Sequence, residues 1–253
     1  MNKVAKKIIK LLYLKINNKS VGRKLKCDLD HYIESIYTVL KYALPWRSIN
    51  TKLHYTSYHK FFEKLVSKNV FKTTYSIITN KYYKNINKRN DLFLDSSMIK
   101  NINGKDLLGK NHFDRNRKGN KITVLVDSKG IPISIHLAKA NIHDSQLIED
   151  ILDSSTIKII QSRIISDKGY INPKIKRKLK RRKVNLIYPY RKNQNIKNST
   201  FEKNKLKERY IVENFFSWIK KYRRIQQRYD SRSIVYLNFI YFASIDIICN
   251  KIS

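Results

Sequence analysis

The spacing of apolar residues first changes from helical to strand-like near residue 89, and that change restricts the fold more than any other feature. Before it, Ile33, Ile36, Tyr37 and Leu40 recur at helical spacing after Asp28 and Asp30, either of which can cap a helix, and Pro45 stands just beyond the end. Ser57 is placed to start the next helix, which carries Phe61, Phe62, Leu65 and Val66, and a further helix is predicted over about Lys72 to Tyr83. After it, short apolar runs replace that spacing: Asp91 to Ile99, Lys121 to Val126 and Ile131 to Ala138. The last two are joined by Asp127-Ser128-Lys129-Gly130, a turn composition that makes them a hairpin.

Beyond the hairpin, Asp144 opens a helix through Leu147, Ile148, Ile151 and Leu152, and Arg163 to Ser166 forms a buried strand. Pro173 to Lys183 is a basic helix, Val184 to Tyr190 another strand, and Leu206 to Arg224 a long helix. Three antiparallel strands, then helix, strand, helix, strand and helix, match by analogy a ribonuclease-H-like α/β mixed sheet. The predicted organisation is therefore a helical domain over residues 1–88 and a sheet domain over residues 89–253. Arg47, Lys52, His54, His59 and Lys60 surround the Pro-containing turn of the first, which is compatible with a helix-turn-helix.

Charge narrows the choice of partner. Lys plus Arg number 54 against 19 Asp plus Glu, a formal net charge of +35, far beyond what solubility needs. A polyanion is the implied partner and nucleic acid leads, although abundant Lys, Asn and Ile are also what an AT-rich coding sequence yields. Cys27 and Cys249 lie too far apart for a CxxC metal site and suit a reducing compartment. The N-terminal MNKVAKKIIKLLYLKI reads as an amphipathic helix rather than a signal peptide, because Lys15 interrupts the apolar run. The run from Ile234 to Cys249 contains Asn238, Ser244 and Asp246 and is predicted to be too short and too polar to cross a bilayer.

With so few acids, their positions matter. Asp95 follows Leu92-Phe93-Leu94 in the first strand, and Asp167 follows Ile164-Ile165-Ser166 at the end of a later one. In Leu206 to Arg224, Arg209, Glu213 and Lys220 fall within roughly 40° of one another on an ideal helix, one stripe about three turns long. Ile211, Val212, Phe215, Trp218, Ile219 and Tyr222 occupy a separate apolar arc. In a ribonuclease-H-like sheet the strands of Asp95 and Asp167 are neighbours and the Glu213 helix packs beside them. Three carboxylates so gathered suit two Mg²⁺ or Mn²⁺ ions and phosphodiester cleavage. Asp127 has a sufficient duty in the hairpin turn and Asp144 as a helix cap, while His136, His143 and Asp144 form an alternative metal cluster. The loop from Asn103 to Asn120 brings Lys105, Lys110, Arg115, Arg117 and Lys118, which either track a DNA backbone or are simply solvated. Tyr188 and Tyr190 beside Arg191 either stack on an unpaired base or pack in the core.

These blocks resemble one family. Arg209-x3-Glu213-x6-Lys220, Asp167-Lys168-Gly169-Tyr170, Asn141-Ile142-His143-Asp144 and Asp95-Ser96-Ser97 are similar to the DDE-type insertion-sequence transposases, in the insertion-sequence-five branch. Pro45-Trp46-Arg47, Arg117-Lys118-Gly119-Asn120-Lys121 and Arg224-Ile225-Gln226-Gln227-Arg228-Tyr229-Asp230 extend the resemblance from about residue 20 to the end. The family signature places a Tyr three residues before the Arg of the last helix, where this chain has Leu206.

The resemblance implies a helical region that reads terminal inverted repeats. It implies a catalytic sheet that cuts double-stranded DNA at the element's ends and joins the 3′-OH to target DNA. Asp95, Asp167 and Glu213 would hold two Mg²⁺ or Mn²⁺ ions, and Arg209, Lys220, Arg117, Lys118, Lys121 and Arg47 would contact DNA, Arg209 and Lys220 also orienting Glu213. A homodimer in the synaptic complex, a cytoplasmic, nucleoid-associated location in a bacterial host and no membrane partner follow. The segment from Arg191 to about Asn204 is short, so the large insertion domain of some relatives is absent. The alternatives are a repurposed DNA-binding protein that no longer transposes, or a metal-dependent endonuclease of the same fold.

Overall fold

A computed structural model describes residues 1–17, 25, 27–49, 52–84, 90–190 and 196–252; Arg191 lies outside the described residues. The chain divides into two compact units, one of Met1–Ile78, Ile102–Asp106 and Trp218–Ser253, the other of Thr79–Asn101 and Leu107–Ser217. The change near residue 89 thus marks where strands begin, but the last segment of the chain clusters with the helical residues and not with the sheet.

In the first unit, α1 (Lys3–Ile16) starts at Asn2, whose side chain accepts from the Val4 and Ala5 N–H groups, and buries Ala5, Ile9 and Tyr13 at four-residue intervals. Helix α2 (Leu29–Tyr42) buries Ile33, Ile36 and Leu40 as the spacing predicts; Asp28 occupies its cap position without making a side-chain cap bond. Helix α3 (Tyr55–Ser67) begins after His54, two residues before Ser57, and buries Tyr58, Phe61, Phe62, Leu65 and Val66. Residues 43–54 separate α2 from α3, much longer than the turn of about three to four residues in a helix-turn-helix. Helix α4 (Val70–Lys84) follows.

The second unit is built on a mixed sheet. Strand β1 (Asp91–Asn101) is central, β2 (Gly109–Asn111) pairs with the first residues of β3 (Arg117–Asp127), and β4 (Pro132–Lys139) pairs with the rest of β3. Helix α5 (Leu147–Asp153) leads to β5 (Arg163–Ser166), and α6 (Pro173–Arg181) to β6 (Asn185–Ile187). The spatial order is β4-β3-β1-β5-β6: β4, β3 and β1 are mutually antiparallel, while β5 and β6 run parallel to β1. β3 is buried from Gly119 to Asp127, which explains its nearly unbroken apolar run. Leu92, Leu94, Leu125, Ile133 and Ile164 form one core with Ile148 and Ile151 of α5 and Leu179 of α6. Asp127 makes the β3–β4 turn as predicted, its Oδ1 accepting from Lys129 N at 2.9 Å and Ile131 N at 2.8 Å, with Gly130 at φ 75°.

The predicted long helix is broken. Helix α7 (Thr200–Lys207) ends two residues before α8 (Tyr210–Ile219), and Ile211 and Val212 bond back only three residues, to Glu208 O and Arg209 O. Arg209 therefore precedes α8 and Lys220 follows it, so the stripe drawn through Arg209, Glu213 and Lys220 is not one helix face. Neither Gly nor Pro marks the break. Instead both sides are anchored, Lys205 on Asp91 at 3.0 Å and Arg209 on Asp167 at 3.2 Å.

The chain returns to the first unit through α9 (Arg223–Gln226) and α10 (Ser233–Ile252). Contrary to the sequence expectation, α10 is long and apolar enough to cross a membrane, but 78% of its apolar stretch is buried inside the protein. It packs on α1 and α3, and its buried Asp246 accepts from Tyr37 and Tyr222 hydroxyls at 2.8 and 2.7 Å. The Arg224–Asp230 block serves this architecture: Arg224 pairs with Asp230 at 2.7 Å. Fully buried Arg228 bonds Asp106, which also accepts from Ser233 N at the start of α10.

Candidate active site

Parallel register brings two acids to one end of the sheet. β1 and β5 pair Leu92 with Ile164, Phe93 with Ile165 and Leu94 with Ser166; the next residue on each chain is Asp95 and Asp167. β5 stops at Ser166 whereas β1 continues against β3, Asp95 opposite Val124. Burial drives the Asp95 carboxyl up to about 6, opposed by its bond from Ser96 N–H and by Arg209, and reinforced by the nearby charges of Asp167 and Asp144. Asp95 Oδ1 accepts from Ser96 N at 2.8 Å. Asp167 makes no cap bond to the helical turn after it; its Oδ1 accepts from Arg209 Nη1 at 3.2 Å. Arg209 Nε is buried and has no partner among the described residues.

Asp144 belongs to the same acidic end, a placement the sequence reading missed. The cap position is taken by His143, whose Nδ1 accepts from Ser145 N at 3.3 Å. Asp144 instead accepts from Lys121 Nζ at 2.8 Å, and that ammonium also donates to Ile142 O at 2.8 Å. Lys121, expected at a DNA surface, is thereby committed inward, with 5% of its surface exposed, because it lies on a strand flanked by both β1 and β4. A Cβ at Gly169 would come within 3.0 Å of Asp144 Oδ2, so glycine there admits the close approach of the Asp144 turn to the Asp167 turn. Tyr170 completes the contact from within, its hydroxyl 2.6 Å from Ser96 Oγ, which in turn lies 2.9 Å from Thr123 Oγ1. The signal that could have found Asp144 was the pairing of its block with a lone Lys on an otherwise apolar strand.

The remaining predicted residues have other surroundings. Glu213 is exposed on α8, one helical turn beyond Arg209, with no hydrogen bond or ion pair among the described residues. Lys220 lies one residue past α8, where burial lowers its pKa. Arg117 and Lys118 are exposed at the start of β3, and Arg47 is exposed on a helical turn, its guanidinium 5.9 Å from the Tyr55 ring centre. His136 turns to Asp150 and Ser154, so it does not join His143 and Asp144. Among the described residues no three His, Cys, Asp or Glu side chains form a ready metal cluster. The donors that do meet are hard carboxylate oxygens with like charges in a partly desolvated site, a set that fits a divalent oxygen-seeking cation and not a soft one.

The fold is thus a mixed α/β sheet with an acidic pair at the end of neighbouring parallel strands, on a chain of net charge +35. Residues 86–244 match the family model for the transposase DDE domain, and the chain belongs to that family. It is 23% identical over 145 residues to the transposase proposed for insertion sequence element IS402 of Burkholderia cepacia, a match covering 54% of this chain and 66% of that protein. In structure it is similar to the piggyBac transposase in a cryo-EM synaptic complex with hairpin DNA, with TM-score 0.40 and 12% identity, over 79% of this chain and 52% of that one. The chain thus spans less than two thirds of each relative's length.

Proposed function

We propose that this chain is the transposase of an insertion sequence, of the insertion-sequence-five branch, acting through a ribonuclease-H-like domain on double-stranded DNA at the element's ends and at the target. The observation that supports this most is the register of β1 and β5, which sets Asp95 and Asp167 side by side in a chain of net charge +35. Asp95, Asp167 and Glu213 would hold two Mg²⁺ or Mn²⁺ ions, which when bound polarise the scissile phosphate and activate the attacking oxygen. Arg209 holds the Asp167 carboxylate in place and keeps positive charge beside Asp95. Arg117, Lys118 and Arg47 are exposed and suited to phosphates, and Lys220, half-buried past α8, would contact DNA as well; the helical region of residues 1–88 reads the terminal repeats, and two copies act together in the synaptic complex.

The test is cleavage of a duplex bearing the element's end. Mg²⁺ or Mn²⁺ should support it, and Asp95→Asn should abolish it while leaving DNA binding intact. Equal cleavage by that variant, or full activity in chelator, removes the metal mechanism; cutting without joining of the 3′-OH to target identifies an endonuclease instead.

A further inference from the structure

The second unit carries a cavity of about 370 Å³ beside α6, lined by Ile171, Pro173 and Ile196 and by Tyr188 and Tyr190, with Lys176, Arg177 and Lys180 along one side. Its size falls within the range of about 300–1,000 Å³ common for small-ligand sites. The Tyr188 and Tyr190 ring centres are 5.6 Å apart at 74°. Lys176 fixes this pair, its ammonium 4.7 Å and 5.1 Å from the two rings and donating to the Tyr190 hydroxyl at 2.9 Å. Tyr188 is buried in the sheet core, whereas Tyr190 packs at its edge and is only half-buried. Arg177 and Lys180 are exposed.

The lining separates this cavity from others in the chain. The one over α5 includes Glu149, Asp150 and Asp153, and the one in the first unit includes Asp246; among the described residues no acid lines the cavity at Tyr190. Flat aromatic walls with a purely cationic rim select a ligand that is both planar and anionic, the combination a nucleotide presents. A base inside a duplex has both faces covered by its neighbours, so a concave aromatic wall is accessible only to an unpaired one. The cavity begins at Ile171, four residues after Asp167, which limits their Cα separation to about 14 Å. A strand with one phosphate at the acid pair can therefore bring a nearby nucleotide to the cavity.

Resting on the transposase reading, we infer that this cavity seats an unpaired nucleotide of the DNA strand, the base against Tyr190 and the phosphate on Arg177 and Lys180. The full chain, in chelator to prevent cutting, is titrated against a labelled duplex with a short single-stranded overhang and against the same duplex blunt. The overhang duplex should bind about tenfold tighter, the scale of one base stacked on an aromatic side chain. Tyr190→Ala should remove that preference and leave blunt-duplex affinity unchanged, Tyr190→Phe should restore it, and Arg177→Gln with Lys180→Gln, both at the surface, should reduce it. A 2-aminopurine in the overhang should change fluorescence on binding to wild type and Tyr190→Phe but not to Tyr190→Ala. Equal affinity of wild type for the two duplexes, or a preference that survives Tyr190→Ala, overturns the inference while leaving DNA as the substrate. Failure to bind either duplex overturns both readings.

Discussion

Replacing Asp95 by Asn should stabilise the fold at neutral pH. The carboxyl is held up to about 6 against an ordinary 3.8, by burial first, with Asp167 and Asp144 adding repulsion and the Ser96 N–H and Arg209 opposing it. Between those two values the folded chain keeps a proton that the unfolded chain has released. Stability therefore falls as pH rises through that window and levels off above it. At about 1.4 kcal/mol per pH unit of separation the effect is bounded near 3 kcal/mol; solvent access at the end of the sheet reduces the expected gain to about 1–2 kcal/mol. Asparagine keeps the shape and carries no charge to desolvate. Urea unfolding in chelator should give variant and wild type similar midpoints near pH 4 and the variant an advantage of about 1–2 kcal/mol above pH 6. Added Mg²⁺ should narrow the gap by stabilising only the wild type. A variant no more stable than wild type at neutral pH, or an advantage that does not change with pH, would refute the account of Asp95 as a desolvated carboxylate.

Three further outcomes follow from named contacts. Asp144→Ala strands the Lys121 ammonium, whose side chain is 6% exposed, and should cost about 2–4 kcal/mol in urea unfolding, most of it recovered when Lys121→Met is added. Arg209→Gln removes a charge that lowers the Asp95 pKa, so the acidic limb of the cleavage pH profile should move to higher pH; an unmoved limb would separate Arg209 from Asp95. Arg117→Gln with Lys118→Gln should reduce the magnitude of the log–log salt slope of DNA binding by about 2, whereas Lys121→Gln should leave it unchanged because that ammonium faces inward.

What could be read from the sequence was what is encoded locally. The β3–β4 hairpin is specified by Asp127 to Gly130 and by apolar runs on both sides, and β1, β5 and α6 carry equally plain patterns. The β2–β3 ladder was missed because Lys110, Asn111, Arg117 and Lys118 contain no apolar residue; their pairing extends one that β3 already makes. The break before α8 was missed for the opposite reason, since residues 200–224 contain neither Gly nor Pro and the interruption comes from anchors 40 or more residues away, Asp167 for Arg209 and Asp91 for Lys205. The same holds for Lys121, which looks like one more surface cation until β1 and β4 enclose it.

The acids show how far elimination reaches once contacts are known. Of 19, most have a structural partner: Asp28 and Asp30 meet Lys10, Glu34 meets Lys6, and Glu63 meets His59 and Arg232. Asp91, Asp106, Asp144, Glu149, Asp150, Glu208 and Asp230 each have a basic partner. Asp127 makes a turn, Glu202 completes the capping box with Ser199, and Asp246 gathers two tyrosine hydroxyls. Apart from Asp114 and Asp153, at the ends of short helical segments, three acids remain, of which only Asp167 has a basic partner. Asp95 receives only its neighbour's N–H, Asp167 is held by Arg209, and Glu213 meets nothing among the described residues. A chain that spends carboxylates so sparingly, and neutralises nearly all of them, leaves two of these three at adjacent strand ends, where burial and then the charge of Asp167 raise the cost of ionising Asp95. That placement costs stability, and it is the feature on which the proposed cation-holding role rests.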